Sequence, residues 1–361
     1  MASAPQISVI MASYNHARFV REAMSSVLMQ RDVSFEFLIE DDGSKDESVR
    51  TIAKIKDARV NFVPRSVNLG ACTTLNNLIA RARGEFIAVI NSDDAWSCDD
   101  KLSNQVDILR ADSSVGACFG QPRIVDAHGA SPVTTDPRQQ VYRQANRSRG
   151  GWMRQLFFVG NCFCHPSGMI RKACYEKVGA YDNRLRQVPD FDMWARLVKY
   201  FDIHVSEREL VQFRQRPGEN TDSATPENST RLANEYFLVG ASLLEGIDEK
   251  LLKDGFGDLL YFPDLPTPAH RDIEQALLYL NPTVATARLF RTIGLQRMFS
   301  MLASPQHRGV LQVDYGWDDL RFQREMSVHT PFQYGQLNVG AALPAARVPA
   351  KRSFPILRYF K

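Results

Sequence analysis

The chain has 361 residues, 44% of them hydrophobic and 24% charged, with a formal net charge of +3. Such a composition belongs to an ordinary soluble globular protein, long enough for one large domain or a catalytic domain with an appendage. The small net charge excludes bulk electrostatic binding of nucleic acid, and no apolar run approaches the roughly 18 residues needed to span a bilayer.

The opening MASAPQISVI lacks the basic and apolar regions of a signal peptide. Six cysteines scattered along the chain favour a reducing, cytoplasmic compartment. Cys162, Cys164 and His165 stand together in NCFCHPS, but no second ligand pair lies at zinc-finger spacing, so buried thiols on a strand are expected in preference to a metal site.

From the start to about residue 95, strand-like and helix-like segments alternate, the pattern of an α/β layered sheet. ISVIMAS (7–13) is a continuous apolar strand. The stripe Val20, Ala23, Met24, Val27 and Leu28 predicts a helix over 18–30. A second strand (34–42) ends in acid, and a short helix follows at 47–55. A third strand (60–64) is closed by Pro64. A helix follows Gly70 (71–82), and a fourth strand covers 85–91. Parallel strands of this kind put their carboxyl ends on one edge, where open α/β sheets hold their ligands.

Further on, 115–126 reads as a strand entering a loop and the polar stretch 127–150 as a surface insertion. A buried strand (160–170) leads into a helix (171–178), and 190–201 is an amphipathic helix. Residues 214–230 have almost no apolar content and read as a mobile loop. Helical segments are expected at about 231–253 and 270–303, before a Pro- and Arg-containing tail. The expected division is 1–225 for a catalytic domain, with halves at about 1–100 and 101–225, and 226–361 for a helical extension.

Acidic groups end two of the strands: Glu40, Asp41 and Asp42 after the second, Asp93 and Asp94 after the fourth. Like charges at ~4 Å repel by about 4 kcal/mol at an effective dielectric near 20. A divalent cation removes that repulsion, and hard oxygen ligands suit Mg²⁺ or Mn²⁺. Neither the G-x-G-x-x-G nor the G-x-x-x-x-G-K-[ST] pattern is present. The first strand ends instead in Ser13, Tyr14 and Asn15. A planar base could stack on Tyr14 and hydrogen-bond to Asp42, leaving its diphosphate for a metal held by Asp94, which describes a nucleoside-diphosphate donor.

The segments ISVIMASYNHARFVREAMSSVLMQ, FLIEDDGSKDES, NLGACTTLNNLIARARGEFIAVINSDDAW and RQVPDFDMWARL together resemble a family 2 glycosyltransferase with the GT-A fold, over roughly residues 5 to 220. The resemblance implies a Rossmann-like, mostly parallel sheet with helices on both faces, plus a C-terminal helical extension. It implies inverting transfer of a sugar from a UDP- or dTDP-linked donor to an acceptor hydroxyl, saccharide or lipid-linked, in bacterial surface polysaccharide or glycoconjugate synthesis. Ser13, Tyr14, Asn15, Asp42, Asn76, Asp93, Arg214 and Arg216 would bind the nucleotide sugar, the two arginines from the start of a loop that folds over the diphosphate. Asp94 would ligate Mn²⁺ or Mg²⁺, and Asp190 would be the catalytic base. His165 and Trp194 would lie near the acceptor, Trp194 as the anchor of its helix.

Two positions depart from the family pattern. Asn91 stands where the metal motif usually begins with Asp, and Pro189 where the base segment usually has Glu. In a helix Asp190 and Asp192 point about 200° apart, so only one can face the pocket. A non-catalytic nucleotide-sugar-binding domain and a sugar-nucleotide nucleotidyltransferase stay open as alternatives, the second disfavoured because MASYNHARF has no glycine loop for a triphosphate. The helices beyond 226 could pair two chains. The tail AARVPAKRSFPILRYFK interleaves basic and apolar residues, which suits either peripheral contact with an anionic inner membrane face or packing on protein.

Overall fold

The computed structural model describes residues 5–131, 137–216, 218, 225–280 and 287–327. The first half follows the predicted alternation: β1 (Ile7–Ser13), α1 (Val20–Leu28), β2 (Phe35–Asp41), α2 (Ser48–Ala53), β3 (Val60–Pro64), α3 (Ala71–Arg81) and β4 (Phe86–Val89). β1, β2 and β4 are buried almost throughout, which is why their sequences are continuous apolar runs. The chain continues through β5 (Ala95–Trp96), α4 (Lys101–Ala111), β6 (Val115–Val125), α5 (Pro137–Tyr142), α6 (Arg149–Phe158), β7 (Met169–Arg171), α7 (Lys172–Val178), α8 (Pro189–Val198) and β8 (Asp202–Arg214). It ends, within the described residues, in α9 (Pro226–Ser242), α10 (Glu249–Phe256), α11 (Pro268–Tyr279), α12 (Ala287–Ala303), α13 (Pro305–Asp314) and α14 (Asp319–Ser327).

The strands form one sheet in the order β3-β2-β1-β4-β7-β6-β8-β5. β3, β2, β1 and β4 are parallel, β7 is antiparallel to both neighbours, β8 runs parallel to β6, and β5 is antiparallel to β8. Successive strands leave β1 on one side toward β3, and β4 lies on the other. The carboxyl ends of β2, β1 and β4 therefore open at a topological switch point, where α/β sheets bind ligands.

Helices cover both faces. On one, Val9 and Met11 pack with Val20 and Val27 of α1 and with Leu102 and Val106 of α4. On the other, Ile10 and Leu38 join Leu75 of α3, Trp152 of α6 and Trp194 of α8 in a core that runs on through Leu252, Phe256, Tyr279 and Phe290 of the later helices. Residues beyond 226 thus share the core of the sheet. Phe157 is the hub, its ring 5.5 Å from Phe256, 5.0 Å from Tyr279 and 5.0 Å from Phe290. Close approach of α6 to α10 requires Gly150, whose backbone N–H donates to Asp254 Oδ2 at 2.7 Å; a Cβ there would lie 2.4 Å from the backbone nitrogen of Gly255.

Several elements depart from expectation for physical reasons. Residues 202–213, left without an element in the sequence, form β8 together with Arg214; register shifts against β6 near Gly120–Pro122 break the alternation of inward side chains. Residues 127–150 are not simply a surface insertion. Asn146 pairs with both the N–H and C=O of Val205, at 2.7 and 2.9 Å, and α6 begins at Arg149. α6 escapes periodicity because Arg149 falls on the same side as the buried Trp152, Met153, Leu156 and Phe157, while Phe158 falls on the opposite one. The expected strand 160–170 is confined to Met169–Arg171, since Pro166 has no N–H for a ladder and residues 165–167 turn instead. The stretch 214–230 is not wholly a loop: Arg214 ends β8, Arg216 is buried, and Thr225 with Pro at the first turn starts α9. The six cysteines are free thiols, five of them buried. The tail 345–361 lies outside the described residues.

Phe157→Ala should cost about 3–5 kcal/mol. Guanidinium unfolding followed by tryptophan fluorescence and by far-UV circular dichroism should show one coincident transition, because the later helices share this core. Two separated transitions would contradict the shared core.

Candidate functional site

β1, β2 and β4 deliver most of the expected residues to one edge. The register pairs Ser13 with Asp41 and Ile10 with Val89, so the Asp42 and Asp93–Asp94 ends flank β1. Two strand spacings put them roughly 10 Å apart. Ser13 Oγ donates to Asp41 Oδ2 at 3.0 Å, and Asp41 also accepts from the Ser44 N–H at 2.8 Å and its hydroxyl at 2.7 Å. Gly43 turns this corner at φ +79°, and a Cβ there would meet the Val67 carbonyl carbon at 2.8 Å. Asp42, 3% exposed, accepts from the N–H groups of Leu69 at 2.7 Å and Gly70 at 2.9 Å, tying the β3–α3 loop to the end of β2. Tyr14 stands exposed on the rim. Asn15, at φ +54°, donates its N–H to Ser44 Oγ and accepts from the Lys45 N–H, both at 2.8 Å.

The second acidic pair, Asp93 and Asp94, is held by β8, which pairs with β5 at Ala95↔Gln212. Asp94 is 2% exposed; Oδ1 accepts from the Arg214 N–H at 2.7 Å and Oδ2 from Asn91 Nδ2 at 2.9 Å. Burial and then the Asp93 charge push the Asp94 carboxyl well above the ordinary carboxylate range. The Arg214 guanidinium, also 2% exposed, donates to the Asp93 carbonyl at 2.8 Å, the Asp126 carbonyl at 3.1 Å and Glu22 at 2.8 Å. Arg216 donates to Asp93 Oδ2 at 2.7 Å and contacts His16 Nε2 at 2.8 Å, while His16 Nδ1 meets Ser92 Oγ at 2.7 Å. The Phe19 ring carries the guanidiniums of Arg214 at 4.9 Å and Arg216 at 5.2 Å. His16 and Phe19 went unmarked in the sequence, although both sit in the SYNHARF segment that ends β1.

The remaining residues gather around the start of α8 and the Tyr181 loop. Asp190, in the first turn of α8, accepts from Asn161 Nδ2 at 2.6 Å and from the Phe191 N–H at 2.8 Å. Pro189 takes the first helical position, where its missing N–H is harmless, so this departure has a helix-starting role. Asp192 turns away to pair with Arg196 at 2.7 Å. Trp194 is fully buried, 6.0 Å from the His165 ring. His165 Nε2 meets Tyr181 Oη at 2.8 Å, and burial lowers the imidazole to about 4, so it is neutral at pH 7. The Asn76 amide is taken up by Tyr181, donating to its carbonyl at 2.8 Å and accepting from its N–H at 2.9 Å. Asn161, within the expected strand 160–170, and Tyr181 carried no sequence signal as site residues. The two groups meet: Trp96 Nε1 donates to the Pro166 carbonyl at 3.0 Å, and the charges of Asp94 and Asp190 add to burial in pushing the Cys164 thiol up.

Residues 8–179 match the family described as Glycosyl transferase family 2. The chain carries a family 2 glycosyltransferase domain. Among similar proteins, the UDP-Glc:alpha-D-GlcNAc-diphosphoundecaprenol beta-1,3-glucosyltransferase of Escherichia coli is 27% identical over 144 residues, 40% of this chain and 56% of that protein. S. aureus TarS 1-349 in complex with UDP-GlcNAc superposes with a TM-score of 0.52 at 16% identity, covering 82% of this chain and 92% of that one. The mannosyltransferase PcManGT of Pyrobaculum calidifontis, in complex with GDP-Man and Mn²⁺, gives a TM-score of 0.53 at 16% identity, covering 91% and 85%. The glycosyltransferase fold is therefore the GT-A type expected from sequence.

Among the described residues, no group of three or more His, Cys, Asp or Glu side chains could hold a metal ion by itself. The donors suit a hard cation that takes most of its ligands from elsewhere. Asp94 is a buried carboxylate whose charge is uncompensated enough to raise its pKa, and Asp93 is already paired with Arg216. A diphosphate would supply the missing oxygens.

The His165 shift fixes a pH dependence. Because the folded-state value lies below the unfolded 6.5, the unfolded chain takes up the proton first, and stability falls as pH drops from 6.5 toward 4. The loss should be on the order of 2 kcal/mol, allowing for the partial exposure of the ring. Urea unfolding at stepped pH measures it; His165→Gln should flatten this part of the profile, and an unflattened profile would contradict a buried neutral imidazole.

Proposed function

We propose that this domain catalyses inverting transfer of a sugar from a pyrimidine nucleoside diphosphate to an acceptor hydroxyl. The reading is supported by one arrangement: Asp42 and Asp94 flank β1 at the switch point, and the charges of Asp94 and Asp190 both reach the Cys164 thiol. The roughly 10 Å between the two strand ends suits a nucleotide lying along the edge, its base toward Tyr14 and Asp42 and its diphosphate toward Asp94. Asp42 keeps lone pairs for a base N–H, since each of its oxygens accepts one backbone donor. The UDP-GlcNAc complex of TarS supports a uridine donor, whereas the mannosyltransferase holds GDP-Man, so the base is our choice from the Tyr14–Asp42 corner.

In the mechanism, Asp190 accepts the proton of the acceptor hydroxyl as its oxygen attacks the anomeric carbon, and the nucleoside diphosphate departs from the opposite face. Asn161, donating to Asp190 Oδ2, and the Phe191 N–H, donating to Oδ1, aim the carboxylate. Arg216 beside Asp93 places a fixed positive charge on the leaving-group side. Mn²⁺ or Mg²⁺ held at Asp94 would supply Lewis-acid stabilisation of the diphosphate. The E. coli relative takes its sugar from UDP-Glc, whose linkage is α, and makes a β-1,3 bond, which supports inversion and a saccharide on a lipid diphosphate as acceptor class. That acceptor would place the enzyme in surface polysaccharide or glycoconjugate synthesis at a membrane face. A nucleotidyltransferase is disfavoured because β1 runs into Ser13–His16, with no glycine loop to cradle a triphosphate.

Thermal shifts with UDP-glucose, UDP-GlcNAc, dTDP-glucose and GDP-mannose, each with and without Mn²⁺, test the donor. At a hundred times Kd the ligand should add about 2.7 kcal/mol. A response to GDP-mannose alone would overturn the pyrimidine choice. Asp94→Asn should keep the fold, with Asn91 free to rotate its amide toward the new side chain, and should lose the Mn²⁺-dependent part of the shift. Asp190→Asn should bind donor normally while UDP release without acceptor falls about 10²–10⁴-fold. Undiminished release in that variant would remove the base role, and no release by the unaltered protein with any donor would favour a pure binder.

A further inference from the structure

We propose that Glu235, on the first helix after the sheet, is the positioning residue for Asp190; this rests on Asp190 being the base. Glu235 is 5% exposed. Its carboxylate accepts from three successive backbone N–H groups: Arg186 at 3.0 and 3.1 Å, Gln187 at 2.7 Å and Val188 at 3.0 Å. Three consecutive amides converging on one anion form a nest, a backbone conformation that a negative charge holds in place. The nest ends at Val188, the residue that caps α8, and no side chain of its own caps that helix. Asp190 follows two residues later, so the segment that aims the carboxylate is anchored to α9 and not to the sheet.

α9 holds the same segment at two more points. Gln187 Nε2 donates to Asn228 Oδ1 at 3.2 Å, and the Tyr236 ring lies 5.2 Å from Phe191, the residue after Asp190. Burial and then the Asp190 charge push the Tyr236 phenol up to about 12, which places that hydroxyl within electrostatic reach of the base. Glu235 touches no reacting atom in this arrangement. It acts through the turn, and a one-ångström misplacement of a catalytic group can cost roughly a hundredfold in rate. Helix α9 therefore supplies part of the active site from outside residues 8–179, the family-matched segment.

The experiment compares full-length protein with Glu235→Gln and Glu235→Asp. Glutamine keeps the shape but turns an NH₂ toward the three N–H donors; aspartate keeps the charge with a shorter reach. Hydrogen exchange read by mass spectrometry should show faster exchange in the peptide spanning 186–198 of both variants, with the peptides over 35–42 and 86–96 unchanged. UDP release from UDP-glucose or UDP-GlcNAc should fall at least tenfold in kcat with KM for the donor unaltered, and aspartate should recover part of the loss. Unchanged exchange over 186–198 overturns the proposal, as does faster exchange with wild-type kcat. If Glu235→Gln fails to fold, the aspartate variant reads the same two quantities. Asp190→Asn run in parallel separates the two ideas: if it retains turnover, the base reading has failed, whereas a dead Asp190→Asn beside a fully active Glu235→Gln sinks the Glu235 role alone.

Discussion

Two adjacent carboxylates at the end of a buried strand are the constraint around which this site is organised. Asp93 and Asp94 cannot both be charged and close without compensation worth several kcal/mol. Arg214 provides part of it twice over, its N–H going to Asp94 and its guanidinium to the Asp93 carbonyl. Both contacts depend on β8 reaching back beside β5, so a strand late in the chain fixes acids delivered by an early one. Arg216 then neutralises the Asp93 side chain itself. Asp94 keeps only a neutral amide and a backbone N–H, and its carboxyl remains shifted upward. The two acids are thus made unequal: Asp93 is paired with a guanidinium, and Asp94 with an amide and a backbone N–H.

That inequality explains a departure from the family pattern. A third acid at position 91 would add repulsion to a carboxylate already disfavoured by burial. Asn91 instead donates to Asp94 Oδ2, holding the ligand's orientation without adding charge. The folded protein is then less strained than it would be with three adjacent acids. Pro189 works similarly on the other side, trading a charged side chain for a rigid start to the helix that carries Asp190.

The strand ends were legible in the sequence because two strong signals coincided there, unbroken apolar runs and clustered acids. β1 to β4 form within a residue or two of expectation, and Asp42, Asp93 and Asp94 arrive at one edge. The partners of those acids were not legible. Arg214 and Arg216 read as the start of a polar loop, yet both are buried, because their environment is built by β8, Phe19 and His16 from distant parts of the chain. β8 itself was hidden by its irregular register, and α6 by Arg149 on its apolar side and Phe158 on its polar one. Asn76 shows the converse: it lies in a matching segment, but its amide joins α3 to the Tyr181 loop, a contact that no local pattern announces.

The boundary at 226 marks a change of sequence character and not a change of core. Apolar side chains from the sheet, α6 and α8 merge with those of α9, α10, α11 and α12, so the later helices cannot be removed without exposing the far side of the catalytic core. The same continuity carries function. A carboxylate on α9 closes the backbone nest before α8, and a tyrosine beside it packs on the residue after Asp190. On the proposed reading, both the base and the helix that aims it lie beyond the family-matched residues 8–179, so the sheet edge and the base side are specified by different parts of the chain.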